Sequence, residues 1–68
     1  MIEGIYEHYK GKQYKVIGIA KHSETMEDVV VYEPLYKSEF KLWVRPLAMF
    51  LETVIVNGKK VPRFEKVK

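Results

Sequence analysis

Turn-forming residues punctuate this chain about every ten positions, at Lys10-Gly11-Lys12, the polar stretch 23–27, Pro34, Pro46 and the pair Asn57-Gly58. The segments between them are rich in Tyr, Val, Ile and Phe, which fit a pleated, half-buried surface. Such spacing accommodates short strands and leaves no room for a long helix, so the chain reads as all-β.

Local chemistry assigns the elements. Residues 4–10 and 13–22 form a hairpin whose two-residue turn, Gly11-Lys12, sets His8 opposite Lys15. Gly18 marks a bulge or sharp bend in the second strand, which lets that strand serve two sides of a barrel. Residues 28–36 form a third strand that Pro34, lacking an N–H, confines to an edge or a bulge. Residues 40–45 alternate most clearly, assigning Phe40, Leu42 and Val44 to the core and Lys41, Trp43 and Arg45 to the other face. Pro46 ends that strand and opens one helical turn, in which Leu47, Phe50 and Leu51 share a face and cover an open barrel end. Asn57-Gly58 joins residues 53–56 to 59–64, because both central residues of a type I′ turn need positive φ. Five or six strands with one short helical turn before the last hairpin make a small SH3-like barrel; an OB-like barrel is the alternative.

Composition narrows the function. At 68 residues the chain reads as one domain over 1–68, and a domain of that size buries only about 60% of its unfolded surface, which leaves few side chains for chemistry. There is no Cys, so disulfides, thiolate zinc sites and cysteine nucleophiles are excluded. No apolar run approaches the ~20 residues that cross a bilayer and no signal-peptide pattern opens the chain, so a cytoplasmic protein without membrane contact is expected. The net charge of +3 is uneven: residues 1–34 hold four Lys and six acids, residues 35–68 eight Lys or Arg and three acids. Lys59, Lys60 and Arg63 are therefore weak candidates for nucleic-acid or anion contact, against the plainer reading that lysines on an edge strand block unwanted pairing.

The segments 4–11 (Gly-Ile-Tyr-Glu-His-Tyr-Lys-Gly), 20–25 (Ala-Lys-His-Ser-Glu-Thr), 30–32 (Val-Val-Tyr), 42–46 (Leu-Trp-Val-Arg-Pro) and Met49-Phe50 together resemble a bacterial family known as domain of unknown function 1653. The resemblance runs in order from Gly4 to about Phe64. It implies an SH3-like barrel and a bacterial origin, and it brings no activity, ligand or catalytic residue.

Chemistry in the residues themselves is sparse. On the expected hairpin His22 lies seven positions beyond Lys15, roughly 23 Å from His8, so the two histidines share no ion and no metal or other cofactor is expected. His22-Ser23-Glu24 holds the residue types of a nucleophilic triad, but neighbours on an extended chain point to opposite faces. There Ser23 and Thr25 more simply satisfy backbone groups of a turn. Trp43 between Lys41 and Arg45 is the most informative feature, as an exposed indole beside cations is a stacking platform. The competing reading covers Trp43 as part of a second core layer.

The expected function is therefore a non-enzymatic binding module for an anionic or planar ligand, a peptide or nucleic acid. Its groove is lined by Trp43, Arg45, Tyr32 and the loop His22, Ser23 and Glu24, with Arg45 clamping an anion and Trp43 stacking. The possible partners are nucleic acid, a nucleotide or a protein. An enzyme or enzyme accessory domain with His22 as general base, and an oligomerisation module, are the alternatives.

Overall fold

The computed structural model describes residues 2–68. Strands β1 (Gly4–His8), β2 (Gln13–Lys21), β3 (Asp28–Pro34) and β4 (Trp43–Pro46) precede the single helical turn α1 (Leu47–Phe50), and β5 (Thr53–Val56), β6 (Lys59–Pro62) and β7 (Phe64–Lys66) follow it. The larger sheet runs in the order β4-β3-β2-β1-β7 and β5 pairs with β6 alone, all antiparallel. The fold is the expected small all-β barrel. Its seven strands exceed the expected five or six because residues 59–66 break at Arg63 into β6 and β7.

Turn chemistry sets the registers. The first hairpin is wider than the two-residue turn expected. His8 N–H donates to the Lys12 carbonyl at 2.7 Å and Gly11, at φ +103°, donates to the His8 carbonyl, so Lys15 lies opposite Ile5 instead of His8. Between β2 and β3 the register slips at Val16/Gly18, the bulge that Gly18 marks. Asn57 and Gly58 take φ of +51° and +79°, the left-handed pair a type I′ turn requires.

The bulged sheet curls until its edges meet. β4 and β7 lie at opposite ends of the strand order, yet the Arg45 guanidinium carbon is 5.5 Å from the centre of the Phe64 ring. Val16, Val30, Tyr32, Phe50 and Phe64 fill the interior, flanked by Ile2, Tyr6, Tyr14 and Leu47. Phe50 stacks flat on Phe64, with centroids 4.4 Å and planes 9° apart, so α1 plugs the barrel end through this ring. Leu51, expected beside Phe50, is 65% exposed.

Residues 40–45 do not supply the core face expected of them. Phe40, Leu42 and Val44 are 62%, 56% and 62% exposed. The strand begins only at Trp43, and inside it the space is taken by Tyr32, Phe50 and Phe64, with the Arg45 guanidinium over the Phe64 ring.

Candidate ligand-binding face

Cross-strand partners share a face of a sheet, and the register therefore gathers Tyr6 with Tyr14, His8 with Phe64, and Tyr32 with Trp43. The result is a row of rings across the barrel. Tyr36 meets Tyr14 edge-on at 5.5 Å, Tyr14 meets Phe64 at 5.8 Å, and Phe64 meets His8 at 4.9 Å. Trp43 stands at the rim, 40% exposed, with Phe40 edge-on to it at 6.1 Å.

Arg45 enters this row from β4. Its guanidinium rests on Phe64, a cation–π contact, and no carboxylate among the described residues pairs with it. Its Nε is out of contact with solvent and has no hydrogen-bond partner, and the same holds for Nε of Arg63. Arg63 differs in one respect: its Nη2 donates to Glu52 Oε1 at 3.1 Å. A buried N–H left unpaired costs about 1–3 kcal/mol, a cost that both side chains carry in the fold.

The neighbouring titratable groups are tuned toward their neutral forms. His8 is held below its ordinary value of 6.5, first by burial and then by Arg45, Arg63 and Lys10. Its Nδ1 accepts the Lys10 backbone N–H at 3.2 Å, which leaves Nε2 as the protonated nitrogen of the neutral ring. The Tyr14 hydroxyl is pushed up to about 12, by burial first and then by its 3.1 Å hydrogen bond with the Tyr36 hydroxyl. Because the folded value lies above 10.0, the stabilisation is full below pH 10 and declines as pH rises toward 12. Stability followed by circular dichroism is expected to fall across that window, and Tyr14→Phe to flatten the fall. An equal slope in both proteins would contradict the assignment.

The expected site residues are only partly brought together. Trp43 and Arg45 share one side of β4, as read from the sequence, but that side faces Tyr32 and Phe64 and is not the outer face expected. Tyr32 is 4% exposed and belongs to the core, because its partner on β2 is the buried Val16 and Phe64 covers its ring. His22, Ser23 and Glu24 lie in the turn between β2 and β3, whereas Trp43 pairs near the other end of β3, so loop and indole are separated by roughly 16 Å of strand. His22 is a turn cap: its Nδ1 accepts the backbone N–H of Glu24 and of Thr25. Thr25 Oγ1 accepts the Glu27 N–H, the backbone role expected of it. Lys59 and Lys60 are exposed on β6, away from the ring row, and Arg63 is anchored on Glu52 at the bend before β7. Tyr14 and Phe64 are site residues that no sequence motif marks. Only the pairing of β1 with β7, between residues far apart in the chain, unites His8 with Phe64.

The fold and this face define a small all-β barrel with an arginine set among aromatic rings. The chain belongs to the family described as a protein of unknown function, DUF1653, whose model matches residues 4–66. Among solved structures it is similar to the crystal structure of a protein belonging to DUF1653 from Bordetella bronchiseptica, at 40% identity and a TM-score of 0.92, covering 98% of this chain and 87% of that one. No curated protein matches the chain.

Proposed function

We propose that this barrel is a binding module that recognises a ligand carrying an anionic group next to a planar one, through Arg45 and Trp43. The observation that carries the reading is Arg45. Its guanidinium is placed by Phe64, unpaired with any carboxylate, and its buried Nε lacks an acceptor. A cation fixed in that way is pre-organised for a carboxylate or phosphate oxygen. Trp43, on the same side of β4 and at the rim, offers a ring face for stacking.

The reading favours binding over catalysis because the one sequence candidate for a general base, His22, spends Nδ1 on two backbone N–H groups in an exposed turn. Trp43 is the sole tryptophan, so its fluorescence reports the site directly. Adenosine 5′-monophosphate, which carries both features, is expected to change the emission saturably. Trp43→Ala is expected to weaken binding about tenfold, the loss of one base stack. An emission unchanged by the nucleotide, by short single-stranded oligonucleotides and by peptides ending in a free carboxylate would remove the proposal's support.

A further inference from the structure

The strand that carries Trp43 and Arg45 is an edge. It stands at one end of the order β4-β3-β2-β1-β7, and apart from its ladder with β3 no hydrogen bond among the described residues uses the backbone of residues 42–46. β4 and β7 share no ladder, so the seam between the two ends of the sheet is crossed by the Arg45 side chain over Phe64 and not by backbone. Solvent reaches this edge. Leu42, Trp43 and Val44 are 56%, 40% and 62% exposed. Free backbone donors and acceptors beside exposed apolar side chains form a template for one more strand.

Resting on the reading of Arg45 and Trp43 as the ligand site, we propose that the ligand is an acidic, aromatic peptide that adds to β4 as an antiparallel strand. The existing register alternates two sides: Tyr32 with Trp43 and Val30 with Arg45 on the ring side, Val31 with Val44 on the other. One further strand continues each row. It sets an aromatic residue beside Trp43, a carboxylate beside Arg45 and an aliphatic residue beside Val44. Trp43 and Arg45 are two residues apart, about 7 Å along the strand, so the peptide's acid and ring are also two residues apart. Every ladder of the fold is antiparallel, and in that direction the peptide reads acid, aliphatic, aromatic from its N-terminal side. Pro46 offers no N–H, so the added ladder ends at Arg45.

Charge selects the occupant. Residues 37–45 carry Lys37, Lys41 and Arg45 against Glu39, and no carboxylate among the described residues pairs with Arg45. A second copy pairing edge to edge would set these cations against themselves, whereas an acidic strand neutralises them. A nucleotide satisfies Trp43 and Arg45 but leaves the backbone edge of β4 unused.

The test is a chemical-shift titration of the full chain with acetyl-Thr-Glu-Val-Phe-Val-Thr-amide, followed at the Trp43 indole and the amides of residues 41–45. Saturable shifts are expected there. The exchanged peptide acetyl-Thr-Val-Glu-Phe-Val-Thr-amide puts acid and ring on opposite sides of the strand, and is expected to bind at least about tenfold more weakly. Alternate N–H groups of a strand point to opposite edges, so methylating the backbone nitrogen of the peptide's Glu and methylating that of its central Val have unequal effects. One is expected to weaken binding about tenfold and the other to leave it nearly unchanged. Equal effects of the two methylations, or equal binding of the exchanged peptide, would overturn strand addition. Silence toward the peptide with adenosine 5′-monophosphate still bound would overturn it too and leave the reading of Arg45 and Trp43 standing, whereas silence toward both would overturn both. A free chain that sediments as a dimer, with the amides of residues 42–44 protected from exchange, would assign the edge to a second copy instead.

Discussion

Phe64→Ala is expected to leave much of the chain unfolded at 25 °C. The ring is 6% exposed and stacks on Phe50 at 4.4 Å, with Tyr14, Tyr32 and His8 edge-on and the Arg45 guanidinium at 5.5 Å. Truncating a buried Phe costs about 3–5 kcal/mol. A chain of this length has roughly 3–10 kcal/mol in total, so the loss takes a large share of its stability. Phe64 is also where β7 meets both α1 and the far sheet edge, so no neighbour can collapse into the gap without opening the barrel. Thermal unfolding should shift downward by at least about 15 °C, whereas Met49→Ala on the 43% exposed side of α1 should change stability by no more than about 0.5 kcal/mol. A Phe64→Ala protein within a few degrees of the parent would mean that the ring is not the centre of the core.

The second large effect is on binding. Arg45→Gln keeps most of the stem and a hydrogen-bonding end but removes the charge and the fork, so the ligand loses a charge-assisted bidentate contact worth about 1.5–3 kcal/mol. Affinity for adenosine 5′-monophosphate is expected to fall roughly 10- to 150-fold, with the folded spectrum retained. The cation–π contact with Phe64 contributes about 0.5–2 kcal/mol to stability, so a modest drop in melting temperature should accompany the loss. Arg45→Lys separates the two roles, since it restores charge without the planar fork and should recover stability more than affinity. Unchanged affinity in Arg45→Gln would refute the clamp.

Local signals carried well into the structure. Asn57-Gly58 has the dihedral angles its turn type demands, Gly18 sits at the register slip, and Pro46 precedes the helical turn, because each of these depends on a few neighbouring residues. The inner and outer faces of residues 40–45 did not carry over. Alternation in a sequence reveals that two faces differ, but which one is buried depends on what the rest of the chain has already placed inside. Here Tyr32, Phe50 and Phe64 occupy that space, so Phe40, Leu42 and Val44 are exposed and the Arg45 guanidinium lies over the Phe64 ring. The candidate site was half legible for the same reason. Trp43 and Arg45 are two positions apart on one strand and were found together, whereas His8 and Phe64 meet only through the pairing of β1 with β7. Tyr32 is in the core and the 22–24 loop lies at the far end of β3, outcomes of sheet length that no motif announces.

The barrel's binding face is tested most directly by an amide and indole chemical-shift titration of the full chain with adenosine 5′-monophosphate. Saturable shifts are expected at the Trp43 indole, Arg45, His8 and Phe64, while residues 22–27 at the far end of the β2–β3 hairpin stay fixed as an internal control. Shifts that concentrate in the 22–27 turn or at Lys59 and Lys60, with Trp43 and Arg45 unmoved, would contradict the account.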